Sequence, residues 1–154
     1  MGLARIGIGA NLGDPEKAVR GAIAALAQLG TPIGVSSLYR SAPWGVKDQP
    51  EFVNAAVLLE TPLEPRALLA ALKDLEIALG RRPGPRWGPR AIDLDILAYD
   101  DRRLDEPGLV IPHPELRARA FALVPLAEID SSFRGDLERL DRREREGVRR
   151  LESL

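Results

Sequence analysis

The sequence predicts one domain of the α+β class, in which α-helices pack on a β-sheet. The chain has 154 residues, the length of a single domain, and its 45% hydrophobic and 29% charged residues are typical of a globular protein. Four stretches have the apolar pattern of strands, and two amphipathic stretches have the spacing of helices. We therefore expect a single domain over residues 1–154.

A strand and a surface helix are predicted at the N-terminus. Apolar residues alternate over 3–9, as in a strand. Asp14 is a typical N-cap, Pro15 suits the first helical position and Gly30 ends the helix. The apolar helix face consists of Val19, Ile23, Leu26 and Leu29. The GIGANLG segment between strand and helix resembles a phosphate-cradling loop, but it lacks the ending of a P-loop, which favours a plain tight turn.

Two further strands are predicted over residues 33–39 and 52–60, which are rich in residues that a buried sheet accepts. The connector between them contains two prolines and Trp44, as binding loops often do. Trp44 could equally fold back as a hydrophobic plug. Asn54 lies among apolar neighbours, so its amide either satisfies backbone groups or binds the edge of a heterocycle.

A second helix is predicted between Pro65 and Gly80. Its buried stripe consists of Leu68, Leu72, Leu75 and Leu79. Lys73 and Glu76 fall outside this stripe. The following segment, RRPGPRWGPR, has two glycines, three prolines and four arginines, and this composition predicts a loop.

The strand predicted over residues 91–99 carries two acids on one face. Asp93 and Asp95 alternate with apolar residues, so their carboxylates stand about 6–7 Å apart along the strand. Two such acids can bind Mg²⁺, and the preceding Arg86, Trp87 and Arg90 offer anion partners and a stacking surface for a nucleotide. An ordinary exposed strand face remains the alternative.

The C-terminal third is predicted to contain a turn or small hairpin over residues 100–107, a short apolar run and two helices. Apolar residues after His113 indicate a helix whose length Pro125 limits. The highly charged end of the chain predicts a solvent-exposed helix over about 134–154 that docks through its leucines at 137, 140 and 151.

Composition excludes several classes of function. The chain has no cysteine, which excludes disulfides and thiolate chemistry. It has no long apolar run and no N-terminal leader pattern, so we expect a cytoplasmic protein without a membrane partner. A net charge of −1 argues against a nucleic-acid partner. The 19 arginines are either phosphate clamps or the result of a codon or thermal bias.

Three long motifs resemble those of the 6-hydroxymethyl-7,8-dihydropterin pyrophosphokinases, a family of folate-pathway enzymes. They read SSLYRSAPWGVKDQPEFVNAAV, GPRWGPRAIDLDIL and VIPHPELRARAFALVPLAEI, and GIGANLGD precedes them. Together they span about residues 6–129, within a family-like core of about 3–130. The resemblance implies a ferredoxin-like fold with a mainly antiparallel sheet and, by expectation, a monomer. It also implies transfer of pyrophosphate from ATP to the hydroxymethyl oxygen of 6-hydroxymethyl-7,8-dihydropterin.

The resemblance also implies roles for particular residues. Asp93 and Asp95 correspond to the acids that hold two Mg²⁺ ions on ATP, with Asp95 also near the attacking hydroxyl. Together with Arg81 and Arg90, they form the expected catalytic set. The expected ATP contacts are Lys73, Glu76, Arg81, Arg90, His113 and Arg119. The expected pterin contacts are Ser41, Ala42, Trp44, Phe52, Asn54, Trp87 and Phe121, several of which could also be core residues.

The chain departs from the family pattern at several positions near the expected ATP site. Residues that differ from the familiar ones are Lys73, Pro83, Gly84, Pro85, Gly108 and Pro114. Two other classes also remain open: an RNA-binding module on a ferredoxin-like sheet, and an unrelated Mg²⁺-dependent phosphotransferase or nuclease. An RNA-binding sheet exposes aromatic residues on its central strands, and here only Phe52 is available.

Overall fold

The computed structural model describes residues 1–43, 48–81 and 91–152. For Glu152 it describes the backbone alone. Within the described residues, the strands are β1 (Gly2–Ala10), β2 (Thr31–Val35), β3 (Leu38–Ser41), β4 (Phe52–Thr61), β5 (Asp93–Tyr99), β6 (Leu104–Glu106), β7 (Leu109–Ile111) and β8 (Arg149–Glu152). Five of them follow one another across a sheet in the order β5-β1-β4-β3-β8, and β2 pairs with β4 beside β3. All of these pairs are antiparallel.

Helices cover both faces of the sheet. They are α1 (Pro15–Ala25), α2 (Pro65–Ala78), α3 (Ala120–Ile129), α4 (Arg134–Glu138) and α5 (Arg142–Glu146). With β2 and β3 counted as one strand, the order β1-α1-β2/β3-β4-α2-β5 is that of a ferredoxin-like fold. The predicted α+β class and mainly antiparallel sheet are thus confirmed.

Two hydrophobic cores lie on opposite faces of the sheet. The first packs α1 and α2 on residues such as Ile6, Val57 and Leu94, and the second packs α3 on Ala56 and Leu97. This division follows from strand geometry, because successive side chains of a strand point to opposite faces. The pocket described below opens on the face that α3 covers.

The N-terminal helix begins as the sequence predicts. The Asp14 side chain accepts a hydrogen bond from the Lys17 amide at 3.2 Å, and Pro15 occupies the first turn. The segment predicted as one strand over 33–39 is instead two strands that lie end to end along β4. They are separated because Ser36 Oγ accepts from the Ala56 amide at 2.8 Å, where a continuous ladder would place a backbone carbonyl.

Pro125 does not end the helix in which it lies. The helix α3 runs on to Ile129, and Leu123, Leu126 and Ala127 are buried in it. A proline in a helix interior costs about 3 kcal/mol, and the burial of these apolar side chains offsets that cost.

The charged C-terminal segment does not form the single predicted helix over about 134–154. It forms α4 and α5, and then β8, which pairs with β3. Asp141 starts α5 by accepting from the Arg143 amide at 2.8 Å. Leu140 is buried in the second core, and Leu151 packs against the first. Among the described residues, no helix combines the length and apolar character needed to cross a membrane.

Candidate active site

The pocket floor is formed by two glycines of β1. Gly9 pairs with Asn54 of β4 on one side and with Asp93 of β5 on the other. Gly7 pairs in the same way with residues 56 and 95. Because glycine has no side chain, neighbouring side chains approach the backbone closely here: Asn54 Oδ1 lies over Gly9, and Leu97 lies over Gly7. The helix α3 contributes Phe121 and Ala122 to the opposite wall.

Asp93 and Asp95 both face this pocket, as the alternation along β5 predicts. Ile92, Leu94 and Ile96 lie in the first core on the other face. Burial raises the pKa of Asp95 to about 7, and the nearby charges of Asp93 and Glu76 act in the same direction. The two acids thus form a centre of excess negative charge that a cation would stabilise.

Glu76 is the residue whose environment the helix pattern failed to predict. Its side chain is buried, in contrast to the prediction that it lies outside the buried stripe of α2. Its Oε2 accepts from the Leu94 amide at 2.7 Å, and its Oε1 accepts from Arg81 at 2.8 Å. Arg81 also donates to Asp93 at 3.0 Å. Burial raises the pKa of Glu76, although the bonds from Leu94 and Arg81 oppose that rise.

His113 presents one defined tautomer to the pocket. Its Nδ1 accepts a hydrogen bond from the Glu115 amide at 3.2 Å, so that nitrogen carries no hydrogen. Burial lowers the pKa of His113, and the charge of Arg119 lowers it further. A neutral ring with its hydrogen on Nε2 can donate to an anion in the pocket.

Contacts with Glu115 and Phe121 help to hold Arg119 beside the pocket. It donates to Glu115 Oε2 at 2.9 Å, and its guanidinium lies 5.5 Å from the centre of the Phe121 ring. These contacts restrict a long side chain that would otherwise lose much conformational freedom on binding an anion.

The end of the pocket away from the acids is lined by amide, hydroxyl and aromatic groups. Asn54 Nδ2 donates to Ser41 Oγ at 2.6 Å, which fixes the orientation of the amide. Asn54 Oδ1 then lies over Gly9, only 3.3 Å from the position that a Cβ atom would occupy there. Phe52 and Phe121 line the same end. This arrangement suits a flat, polar-edged heterocycle.

A second cavity adjoins the first at the two acids. Its lining includes Lys73 and Glu76 of α2 together with residues 108–110, which belong to the antiparallel hairpin that β6 and β7 form. Arg81, Asp93, Asp95 and His113 line both cavities. The two acids, Arg81 and His113 therefore lie between a heterocycle-sized pocket and a second, more polar space.

The structure brings together most of the predicted site residues. Those that line one or both cavities are Ser41, Ala42, Phe52, Asn54, Lys73, Glu76, Arg81, Asp93, Asp95, His113, Arg119 and Phe121. Trp44, Trp87 and Arg90 lie outside the described residues, as do the other residues of 82–90. Gly7 and Gly9 were missed as pocket residues, because they were assigned to the predicted strand over 3–9 and the GIGANLG segment was interpreted as a plain tight turn.

The carboxylates offer only part of a metal coordination shell. In the described parts of the chain, no group of three or more His, Cys, Asp and Glu side chains is arranged to hold a metal ion. Mg²⁺ commonly takes one or two protein carboxylates and completes its shell with water and substrate phosphates. The Asp93–Asp95 pair fits that kind of site.

The sequence is similar to a known protein family and to named bacterial proteins. The family model for 7,8-dihydro-6-hydroxymethylpterin-pyrophosphokinase (HPPK) matches residues 5–131. The 2-amino-4-hydroxy-6-hydroxymethyldihydropteridine pyrophosphokinase of Methylorubrum extorquens is 47% identical over 133 residues, which cover 84% of this chain and 83% of that protein. The protein of the same name from Pseudomonas aeruginosa is 43% identical over 131 residues, covering 84% and 81%.

The fold also resembles solved structures. The HPPK-DHPS protein of Plasmodium falciparum superposes with a TM-score of 0.69 at 15% sequence identity, and the match covers 88% of this chain. The chain spans 39% of the length of that longer protein. At this identity the likeness supports the fold alone.

Proposed function

Because the chain belongs to the 7,8-dihydro-6-hydroxymethylpterin-pyrophosphokinase family, we propose that the two adjoining cavities are its pterin and ATP sites. The enzyme transfers a pyrophosphoryl group from ATP to the hydroxymethyl group of the dihydropterin, giving the pterin diphosphate and AMP in folate biosynthesis. The assignment of the two cavities to the two substrates rests on one observation: Asp93 and Asp95 lie where the cavities meet.

The pterin is assigned to the pocket that contains Asn54. The fixed amide presents Oδ1 over the Gly9 floor, where it can accept from an N–H at the edge of the ring. Phe52 and Phe121 offer aromatic surfaces for the ring, and Ser41 and Ala42 close the wall. Stacking by Trp44 and Trp87 remains a prediction from the sequence.

ATP is assigned to the second cavity, with its phosphates near Arg81, His113 and Arg119. These groups supply positive charge or N–H donors around the acids, as phosphate oxygens require. Lys73 lies exposed at the rim, where it can add charge. Glu76 already anchors Arg81 and the Leu94 amide, so any contact with the ribose or base would add to that structural role. The predicted contact from Arg90 remains a prediction.

We assign Mg²⁺ to Asp93 and Asp95, with two ions expected. Their shared face, the excess negative charge and the raised pKa of Asp95 support a cation at this position. When bound, Mg²⁺ would neutralise phosphate charge and bring the ATP phosphates to the acid pair.

The chain's own contribution to the reaction is alignment and charge. The hydroxymethyl oxygen of the pterin attacks the β-phosphorus of ATP, and the bond from that phosphorus to the oxygen of the α-phosphate breaks. AMP leaves with that oxygen, and the hydroxyl proton is released as the new bond forms. Such a transfer needs donor and acceptor held in line and developing charge stabilised, rather than a strong base.

Other attributes remain proposals. We propose a single catalytic domain over residues 1–154 that works as a cytoplasmic monomer with ATP and the pterin as its ligands. The slightly acidic charge supports the view that nucleic acid is not a partner, and no membrane partner is proposed.

An AMP-release assay tests the proposed chemistry. Purified protein is incubated with ATP, Mg²⁺ and 6-hydroxymethyl-7,8-dihydropterin, beside a control in which 6-methyl-7,8-dihydropterin replaces the alcohol. We expect AMP and the pterin diphosphate in equal amounts in the first reaction and neither in the control. Equal AMP release in both reactions would contradict transfer to the hydroxymethyl oxygen.

A further inference from the structure

Glu128, near the end of α3, forms a cluster of hydrogen bonds that does not contact the pocket directly. Its Oε1 accepts from the Ser37 amide at 2.9 Å and from the Tyr39 hydroxyl at 2.7 Å. Its Oε2 accepts from Ser37 Oγ at 2.9 Å. Three donors from the start of β3 and the residue before it thus converge on one carboxylate of the helix.

The cluster holds an ionised carboxylate rather than a neutral acid. Burial would raise the pKa of Glu128, but the bonds from Tyr39 and Ser37 and the charge of Arg150 lower it overall. Burial and the same carboxylate raise the pKa of Tyr39, so its hydroxyl stays protonated and remains a donor. Charge-assisted hydrogen bonds of this kind are stronger than neutral ones.

The two elements joined by this cluster are the two that enclose the pterin end of the pocket. Tyr39 is paired with Asn54 across the β3–β4 ladder, and Ser41 is paired with Phe52. Tyr39 and Ser41 therefore lie on the same sheet face as the two β4 residues that line the pocket. On the other side, α3 carries Phe121 seven residues before Glu128.

We propose that Glu128 is a positioning residue that sets the separation between α3 and β3, and hence the width of the pterin end of the pocket. This inference rests on the proposed function of that pocket. Since the ATP side is built largely from α2, β5 and the β6–β7 hairpin, loss of the cluster should affect the pterin more than ATP.

The main test measures the KM values of both substrates for Glu128→Gln. Glutamine keeps the size of the side chain but replaces one acceptor oxygen with an amide N–H₂, which cannot accept from Ser37 or Tyr39. We expect the KM for the pterin to rise about tenfold, since a misplaced binding group weakens binding steeply. The KM for ATP should change less than twofold, and kcat less than threefold.

A milder variant and a control make the test specific. Tyr39→Phe removes a single hydroxyl and keeps the ring, so it should raise the pterin KM in the same direction but less. Asp130→Asn is the matched control, because Asp130 caps the same helix end and pairs with Arg5 of β1 at 3.0 Å instead of with β3. It should lower thermal stability while leaving both KM values within twofold of the wild type.

The outcomes separate this inference from the proposed function. A wild-type protein without pterin-dependent AMP release would contradict the function itself. An active wild type whose pterin KM is unchanged in Glu128→Gln would overturn the inference. It would also be overturned if Asp130→Asn raised the pterin KM as much, because general loosening of α3 would then explain the effect.

Discussion

Asp95→Asn should stabilise the ligand-free protein at alkaline pH although it removes a residue assigned to catalysis. Asp95 is partly buried beside Asp93 and Glu76, and this environment raises its pKa from an ordinary 3.8 to about 7. Above pH 7 the native state must therefore hold an ionised carboxylate in an unfavourable place. Asparagine has nearly the same shape and no charge, so it relieves this cost.

The size of the effect follows from the pKa. Each pKa unit corresponds to about 1.36 kcal/mol, so the ionised Asp95 reduces the free energy of unfolding by at most about 4 kcal/mol at pH 8. Solvent access to the pocket reduces this to about 2 kcal/mol. For a chain of this length, that corresponds to a rise in Tm of about 4–8 °C.

The sign of the pH dependence provides the check. The cost is absent below about pH 4, where Asp95 is protonated in both states, and it grows as the pH rises from about 4 to above 7. Thermal unfolding of both proteins without Mg²⁺ or nucleotide, at pH 5 and pH 8, measures it. We expect a larger gain in Tm at pH 8 than at pH 5.

Asp93→Asn is the matched control for this experiment. The side chain of Asp93 is 36% exposed and pairs with Arg81 at 3.0 Å, so its substitution should bring no such gain. A lower Tm for Asp95→Asn at pH 8, or the same change at both pH values, would refute the account of the electrostatics of the pocket.

Two further substitutions test the glycine floor of the pocket and the bond from Arg81 to Glu76. Gly9→Ala should raise the pterin KM by tenfold or more, because the new Cβ lies 3.3 Å from Asn54 Oδ1. The control is Gly21→Ala in α1, where a Cβ meets nothing within 4 Å, and it should leave the pterin KM unchanged. Steady-state kinetics compare the two variants. Glu76→Gln should lower kcat about 10–100-fold, because Arg81 loses a charged partner. The free energy of unfolding, measured with denaturant, should fall by less than about 2 kcal/mol, because the amide oxygen can still accept from the Leu94 amide. An unchanged kcat would contradict the role of Glu76 in placing Arg81.

The parts of the fold that could be predicted are those where a local pattern and the tertiary structure agree. The alternation in β5 placed Asp93 and Asp95 on one face, because a strand with one buried face must follow a period of two. Asp14 and Pro15 gave the start of α1 because capping is a local interaction. Apart from Asn54, which stood out among apolar neighbours, the cavity residues on β3, β4 and α3 were predicted by resemblance to a family rather than by pattern.

The burial of Glu76 could not be predicted from its helix. Leu75 and Glu76 are neighbours in the sequence, and hydrophobicity alone predicts that the leucine is the buried one. In the structure Glu76 is buried, because its carboxylate accepts a hydrogen bond from the Leu94 amide. That amide lies 18 residues away on another element. A buried carboxylate is acceptable only when such partners are present, and the local sequence does not show them.

The C-terminal strand and the glycine floor were missed for a similar reason. Arg149–Glu152 has the composition of a solvated helix, but the open edge of β3 supplies a partner that makes it a strand. Gly7 and Gly9 become pocket residues only because Asn54 and the acids flank them in register. Strand pairing is non-local, so a pattern along one strand cannot reveal it.

The most direct test of the central claim is the Mg²⁺-dependent rate of AMP release by Asp93→Asn and Asp95→Asn, each shown by circular dichroism to be folded. The account predicts that both variants lose turnover by orders of magnitude in the presence of saturating ATP and pterin, because the acids stand where the two cavities meet. Near-normal AMP release by both variants, with an unchanged dependence on Mg²⁺, would contradict it.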